Sequence, residues 1–314
     1  MASKRQHMVS NLVSDRPPLK SLLRILAMVI LGYVIMGNVV ALLVISTFYS
    51  GDFMKAMSDP VGHPDIRNIM VIAQGLASLV GLVLVPSFYL KSFENRSAGN
   101  FLGNFPSARL FLILAALVVA LAIGISPVTE WNAAMELPGE LGKFLRSFED
   151  QAAVLVEAFT SDLTPFSFLL VFVVIAIIPA WGEELVFRGL LQNELVRLVR
   201  NPHIGIWLAA AFFSAFHMQF FGFFPRLLIG AMLGYIYYWS GNLWIPVTFH
   251  FLNNGLQVTA IYFAQLKLHS YDMESTESAP LSAVAISILM MAALLYYCKK
   301  YLVTPPHGDA PPKL

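Results

Sequence analysis

Runs of about 20 apolar residues, bordered by charged or Pro- and Gly-rich stretches, recur from one end of the chain to the other. A helix of that length crosses a bilayer core of about 30 Å. Lipid offers a backbone no partners outside itself, so such a chain has to fold as a bundle of membrane-spanning helices. About eight windows can be drawn. They begin near Leu22, Ile69, Leu110, Phe166, His203, Arg226, Leu243 and Leu281, and the fourth has no well-defined end. The expected fold class is all-α, a polytopic membrane protein with about eight transmembrane helices.

Composition agrees and removes other classes. Apolar residues make up 57% of the chain and charged residues only 12%, about half the charge of a soluble protein. A net charge of +1 without a basic run leaves no footprint for nucleic acid. The lone Cys298 can form no internal disulfide and is read as a packing residue.

Cytoplasmic loops are enriched in Lys and Arg. With the N-terminus inside, most basic residues fall on the inner side, among them Lys4, Arg5, Arg16, Lys20, Arg24, Lys91, Arg96, Arg109, Arg197, Arg200, Lys299 and Lys300. Both termini are then cytoplasmic. The division expected is a cytoplasmic tail at 1–21, one transmembrane domain at 22–303, and a cytoplasmic tail at 304–314. The outer loop at 132–165 carries Leu141, Phe144, Leu145, Phe148, Leu155 and Phe159 at near-helical spacing among acidic residues. It reads as an amphipathic helix on the membrane surface, a connector rather than a substrate lid.

Ionisable groups inside spans are costly, which makes each a candidate for function. Here they gather in three tracts: Gly182-Glu183-Glu184-Leu185-Val186-Phe187-Arg188 in the fourth window, Phe213-Ser214-Ala215-Phe216-His217 in the fifth, and His250-Phe251-Leu252-Asn253-Asn254 in the seventh. Adjacent Glu183 and Glu184 point about 100° apart on a helix, whereas Glu184 and Arg188 at i,i+4 can pair. One carboxylate, Glu183, is left for chemistry. His250 and Asn254 project from one face. Asn253 and Ser214 read as packing residues, because an isolated polar group between helices is usually packing glue.

In that order on successive apolar helices, Glu183-Glu184-x-x-x-Arg188, Phe213-x-x-x-His217 and His250-x-x-x-Asn254 resemble the three motifs of the CAAX protease and bacteriocin-processing (CPBP, or Abi) family of intramembrane proteases. That family includes the Ras-converting CAAX prenyl endopeptidases. The resemblance covers 166–265 and sets the site in the bundle of helices 4 to 7. It implies Glu183 as the catalytic carboxylate, His217 as its partner in holding and polarising a water, and His250 with Asn254 as oxyanion donors. Glu184, Arg188 and Phe213 are the supporting residues. It further implies a glutamate-type endopeptidase with no cofactor. The expected partners are the lipid bilayer and a peptide or protein substrate, membrane-anchored or lipidated, and the expected location a bacterial inner (plasma) membrane. Independently of the resemblance, a desolvated carboxylate suits a base for peptide hydrolysis, and donors are needed where carbonyl charge develops.

Two alternatives accompany this reading. The residue types also allow zinc held by Glu183, His217 and His250, and the same helices could serve as a non-catalytic scaffold or bacteriocin-immunity factor. There is also a geometric conflict. At about 1.5 Å per residue, Glu183 lies roughly 25 Å in from the outer face and His217 roughly 20 Å in from the inner one, so straight helices ending at the membrane would not bring them together. Either Pro179 and Gly182 break the fourth helix, or the fifth begins deeper in the cytoplasm.

Overall fold

The computed structural model describes residues 17–161, 163–268 and 277–303. The expected C-terminal tail and all but 17–21 of the N-terminal one lie outside these residues. Among the described residues the regular structure is entirely helical, with no strand.

Ten helices carry the architecture: α1 (Pro18–Phe48), α2 (Ile66–Glu94), α3 (Ala108–Gly124), α4 (Ser126–Ala133), α5 (Gly139–Thr160), α6 (Pro165–Val199), α7 (Pro202–Phe216), α8 (Phe223–Ser240), α9 (Trp244–Gln265) and α10 (Leu281–Leu302). Each apolar window is helical. Among the described residues, however, only five helices are long and apolar enough to cross a bilayer alone: α1, α2, α6, α10, and α8 with the turn that leads into it. A sixth span arises if α3 and α4, bent by 42°, are taken together. The helix α7 is a shorter apolar helix of 15 residues. The helix α9 has 22 residues, but His250, Asn253, Asn254 and Gln257 dilute its apolar character.

Local chemistry sets the ends that matter for the site. Thr164 and Ser167 form a reciprocal capping box at the start of α6, with Pro165 in its first turn. From there α6 runs on as one helix of 35 residues. It is not broken at Pro179 or Gly182. Wide-turn π stretches at Val173–Ile177 and Leu185–Gln192 absorb the proline instead. A tight reversal follows, with Arg200 left-handed at φ 54° and the Asn201 side chain accepting from the His203 and Ile204 amides to cap α7.

One apolar cluster joins α1, α2, α6, α7, α8 and α9, with Leu82, Leu185 and Phe213 among its buried members. A second joins α3, α8, α9 and α10 through Leu114, Leu233, Phe249 and Leu294. The second half of α6 is buried, while α1 and α10 present Leu31, Val34, Leu42, Ile286 and Leu289 outward and α7 presents Ile204, Trp207 and Phe212, as lipid-facing helices do.

The helix α5 realises the amphipathic spacing of the loop, leaving Leu141 and Phe144 exposed. It is also tied to the segment after α7. Glu149 accepts from the Phe221 amide at 3.2 Å and from Gln219 at 3.4 Å, and the Arg146 guanidinium lies 3.4 Å from the centre of the Phe221 ring.

Candidate active site

The α6–α7 hairpin resolves the conflict of depth. Glu183 precedes the reversal at Arg200–Asn201 by about as many residues as His217 follows it, so two antiparallel helices bring them level, each about 25 Å from the turn. The break at Pro179 and Gly182 is not realised: α6 continues to Val199, and α7 returns from Pro202.

Glu184 is fully buried and forms the hub of the site. Its Oε1 accepts from Arg188 Nη1 at 2.9 Å and from His250 Nδ1 at 2.8 Å. The sequence analysis gives Glu184 only the first partner; the structure adds a second, across to α9. A carboxylate at Nδ1 assigns the proton to that nitrogen, and His250 Nε2 then faces Glu183 Oε2 at 3.9 Å. This is beyond hydrogen-bond length, and Glu183 Oε2 is buried with no hydrogen bond from the protein.

His217 caps the end of α7, and its Nδ1–H donates to the Phe213 carbonyl at 3.0 Å, leaving Nε2 for the site. Phe213 links the parts: Arg188 Cζ lies 4.5 Å from its ring centre, and the ring meets His217 and His250 edge-on at 5.1 and 6.1 Å.

Asn254 is held elsewhere. Its Nδ2 donates to the Ile175 carbonyl at 3.0 Å. Pro179 lacks the amide that would bond that carbonyl in a regular helix, so the proline on α6 creates the acceptor that α9 uses. Asn253, expected only to pack, donates to Asn254 Oδ1 at 3.1 Å. The structure therefore brings His250 and Asn254 to the same helix at two different points, one at Glu184 and one at Ile175. Ser214 donates to the Phe223 carbonyl at 2.6 Å, in keeping with a packing role.

Among the described residues, no three His, Cys, Asp or Glu side chains are disposed to hold a metal ion. The Nδ1 protons of His250 and His217 go to Glu184 and to the Phe213 carbonyl, which leaves each Nε2 with a lone pair, the form in which imidazole binds a metal.

The sequence analysis missed the rail that supports the hub. Arg188 Nη2 donates to the Gly230 carbonyl at 3.0 Å, and Gln192 Nε2 to the Gly234 carbonyl at 3.1 Å. A Cβ at Gly230 would come within 3.1 Å of Phe213, and one at Gly234 within 2.8 Å of Gln192. The signal was present as Gly230-x-x-x-Gly234, a close-approach motif in apolar helices.

Comparison with known proteins follows the same stretch. The chain is 34% identical over 103 residues to an uncharacterized protein of Bacillus subtilis, YpbD, an alignment covering 32% of this chain and 49% of that protein. The chain thus spans about half the length of this curated relative. No solved structure matches it significantly. Residues 165–256, which hold the Glu-Glu-x-x-x-Arg, Phe-x-x-x-His and His-x-x-x-Asn motifs, match the family model described as type II CAAX prenyl endopeptidase Rce1-like.

Proposed function

We propose that this chain is an intramembrane endopeptidase in which Glu183 activates the attacking water. The observation that carries the reading is the buried, unpartnered Glu183 Oε2 facing His250 Nε2 at 3.9 Å, beside a second carboxylate already engaged by Arg188. Glu183 takes a proton from water as the water oxygen bonds to the peptide carbonyl carbon. The carbon–nitrogen bond then breaks, and the proton passes to the leaving amine. His217 Nε2 helps hold the water. His250, held by Glu184 through Nδ1–H and carrying a second proton on Nε2 as the imidazolium, and Asn254, through its remaining amide proton, supply donors to the oxyanion. The substrate is a peptide or protein, lipidated or membrane-anchored, and the setting a bacterial inner membrane.

The test uses the full chain in detergent and a quenched fluorescent peptide with a farnesylated Cys-aliphatic-aliphatic-Met end. Glu183→Gln keeps size and shape but removes the base, and turnover should fall by about 10²–10⁴-fold with folding intact. Near-normal turnover would remove Glu183 from the mechanism. Wild-type turnover should survive exhaustive chelation; about one tightly held zinc per chain, lost together with activity in His250→Ala, would replace this mechanism with a metal-dependent one.

A further inference from the structure

His217 stands where α7 ends. Its amide donates to the Ser214 carbonyl at 3.3 Å, Met218 is left-handed at φ 57°, and the chain turns through Phe220–Gly222 into α8. The direction of a side chain at a helix end follows from what holds the turn beyond it. In a continuous helix the Phe224 amide would donate to the Phe220 carbonyl, four residues back. Here the carboxamide of Asn132, from α4, stands between the two. Its Nδ2 donates to the Phe220 carbonyl at 3.1 Å and its Oδ1 accepts from the Phe224 amide at 2.9 Å. A side chain inserted into the ladder in this way opens a helix. Asn132 is fully buried, and the neighbouring Trp131 ring packs on Phe224 with centroids 5.0 Å apart. The Phe223 carbonyl belongs to the same planar peptide as the Phe224 amide, and it accepts from Ser214 Oγ at 2.6 Å. That peptide is thus gripped by Asn132 on one side and by the last turn of α7 on the other. The same turn carries His217, whose Nδ1–H donates to the Phe213 carbonyl at 3.0 Å.

We propose that Asn132 is a positioning residue for His217: by holding Phe220 and Phe224 apart, and through the peptide shared with Ser214, it sets the turn that presents His217 Nε2 to the water. The proposal rests on the peptidase reading above. Asn132 touches neither substrate nor water, and it lies on α4, outside the three motifs. Its two bonds replace the one that α8 would make within itself, so without them the ladder can close, and the turn moves with it. The Gln219 carbonyl, bonded by Arg226 Nη2 at 2.6 Å, and the Phe221 amide, bonded by Glu149, hold the middle of the turn. Asn132 alone holds both of its ends. A histidine that steadies a water tolerates little displacement, and a shift of about 1 Å costs on the order of 10²-fold in turnover.

Asn132→Leu keeps the shape of the side chain and removes both polar ends. On the farnesylated probe, kcat of the full chain should fall about 10²-fold at unchanged KM. A kcat within about twofold of wild type would overturn the proposal. A second measurement needs no turnover. In chains labelled with 15N-histidine, the His217 ring signal, assigned by its loss in His217→Gln, should move in Asn132→Leu and also in Ser214→Ala, the milder change if Asn132→Leu does not fold. It should stay in place in Asn242→Leu, which removes a like clasp at the other end of α8, where Asn242 holds the Gly103 amide at 2.8 Å and the Asn104 carbonyl at 2.7 Å. A His217 signal that is unmoved in Ser214→Ala, or that moves as far in Asn242→Leu, would overturn the proposal. A wild-type chain that leaves the probe intact would overturn the peptidase reading instead, and the ring signal then decides by itself whether Asn132 sets His217.

Discussion

At the scale of single residues, the site depends on how one buried carboxylate is shared. Glu184 holds Arg188 and His250 at once, and both it and Arg188 are almost wholly removed from solvent. Arg188 donates onward to the Gly230 carbonyl, and its guanidinium covers Phe213. Removing one member of such a pair leaves the other charge buried, which costs about 3–5 kcal/mol. Arg188→Ala should therefore lower both the unfolding temperature in detergent and turnover. Arg188→Lys should recover part of the stability, because it restores the charge but not the two-pronged geometry. If Arg188→Ala melted like wild type, the ion pair would not be a support of the fold.

At the scale of elements, α6 derives its usefulness from an irregularity. Pro179 removes an amide from the helix, wide turns accommodate the change, and the Ile175 carbonyl is given to Asn254 of α9. Pro179→Ala would return a donor to α6 that competes with Asn254 for that carbonyl. Stability should be unchanged or higher, while turnover falls several-fold because Asn254 loses its anchor. Equal turnover in Pro179→Ala would mean that the anchor is dispensable. The close contacts of α6 with α8 work in the same way. Gly230 and Gly234 let backbone carbonyls approach near enough to accept from Arg188 and Gln192, and a side chain at either position would push the rail apart.

At the scale of the whole molecule, α8 and α9 belong to both apolar clusters, with α1, α2, α6 and α7 packed into one and α3 and α10 into the other. From the distribution of Lys and Arg we propose an orientation with the segment after α2 in the cytoplasm and α5 outside. Single cysteines introduced into a Cys298→Ser chain test the arrangement. Ser97→Cys should be labelled by an impermeant thiol reagent only from the cytoplasm, and Glu140→Cys only from outside; the reverse pattern would invert the topology. Because α5 also grips the segment after His217 through Glu149, its side of the membrane fixes from which face that end of the site is covered.

The polar set Glu183, Glu184, Arg188, His217, His250 and Asn254 was legible in the sequence because the cost of a charge in lipid is a property of each residue in its own apolar run. The Glu184–Arg188 pair was legible because i,i+4 spacing is local geometry. The level meeting of Glu183 and His217 was not, since it depends on where the α6–α7 hairpin turns, and the fourth apolar window has no well-defined end in the sequence. The second partner of Glu184 and the acceptor made for Asn254 by Pro179 were equally hidden. Each is a contact between helices distant in the chain, and nothing in the periodicity of one helix states which face of another it will meet. Only packing decides that: small residues such as Gly81 and Gly230 allow backbones to approach, and buried donors turn toward whatever carbonyl or carboxylate the approach brings within reach.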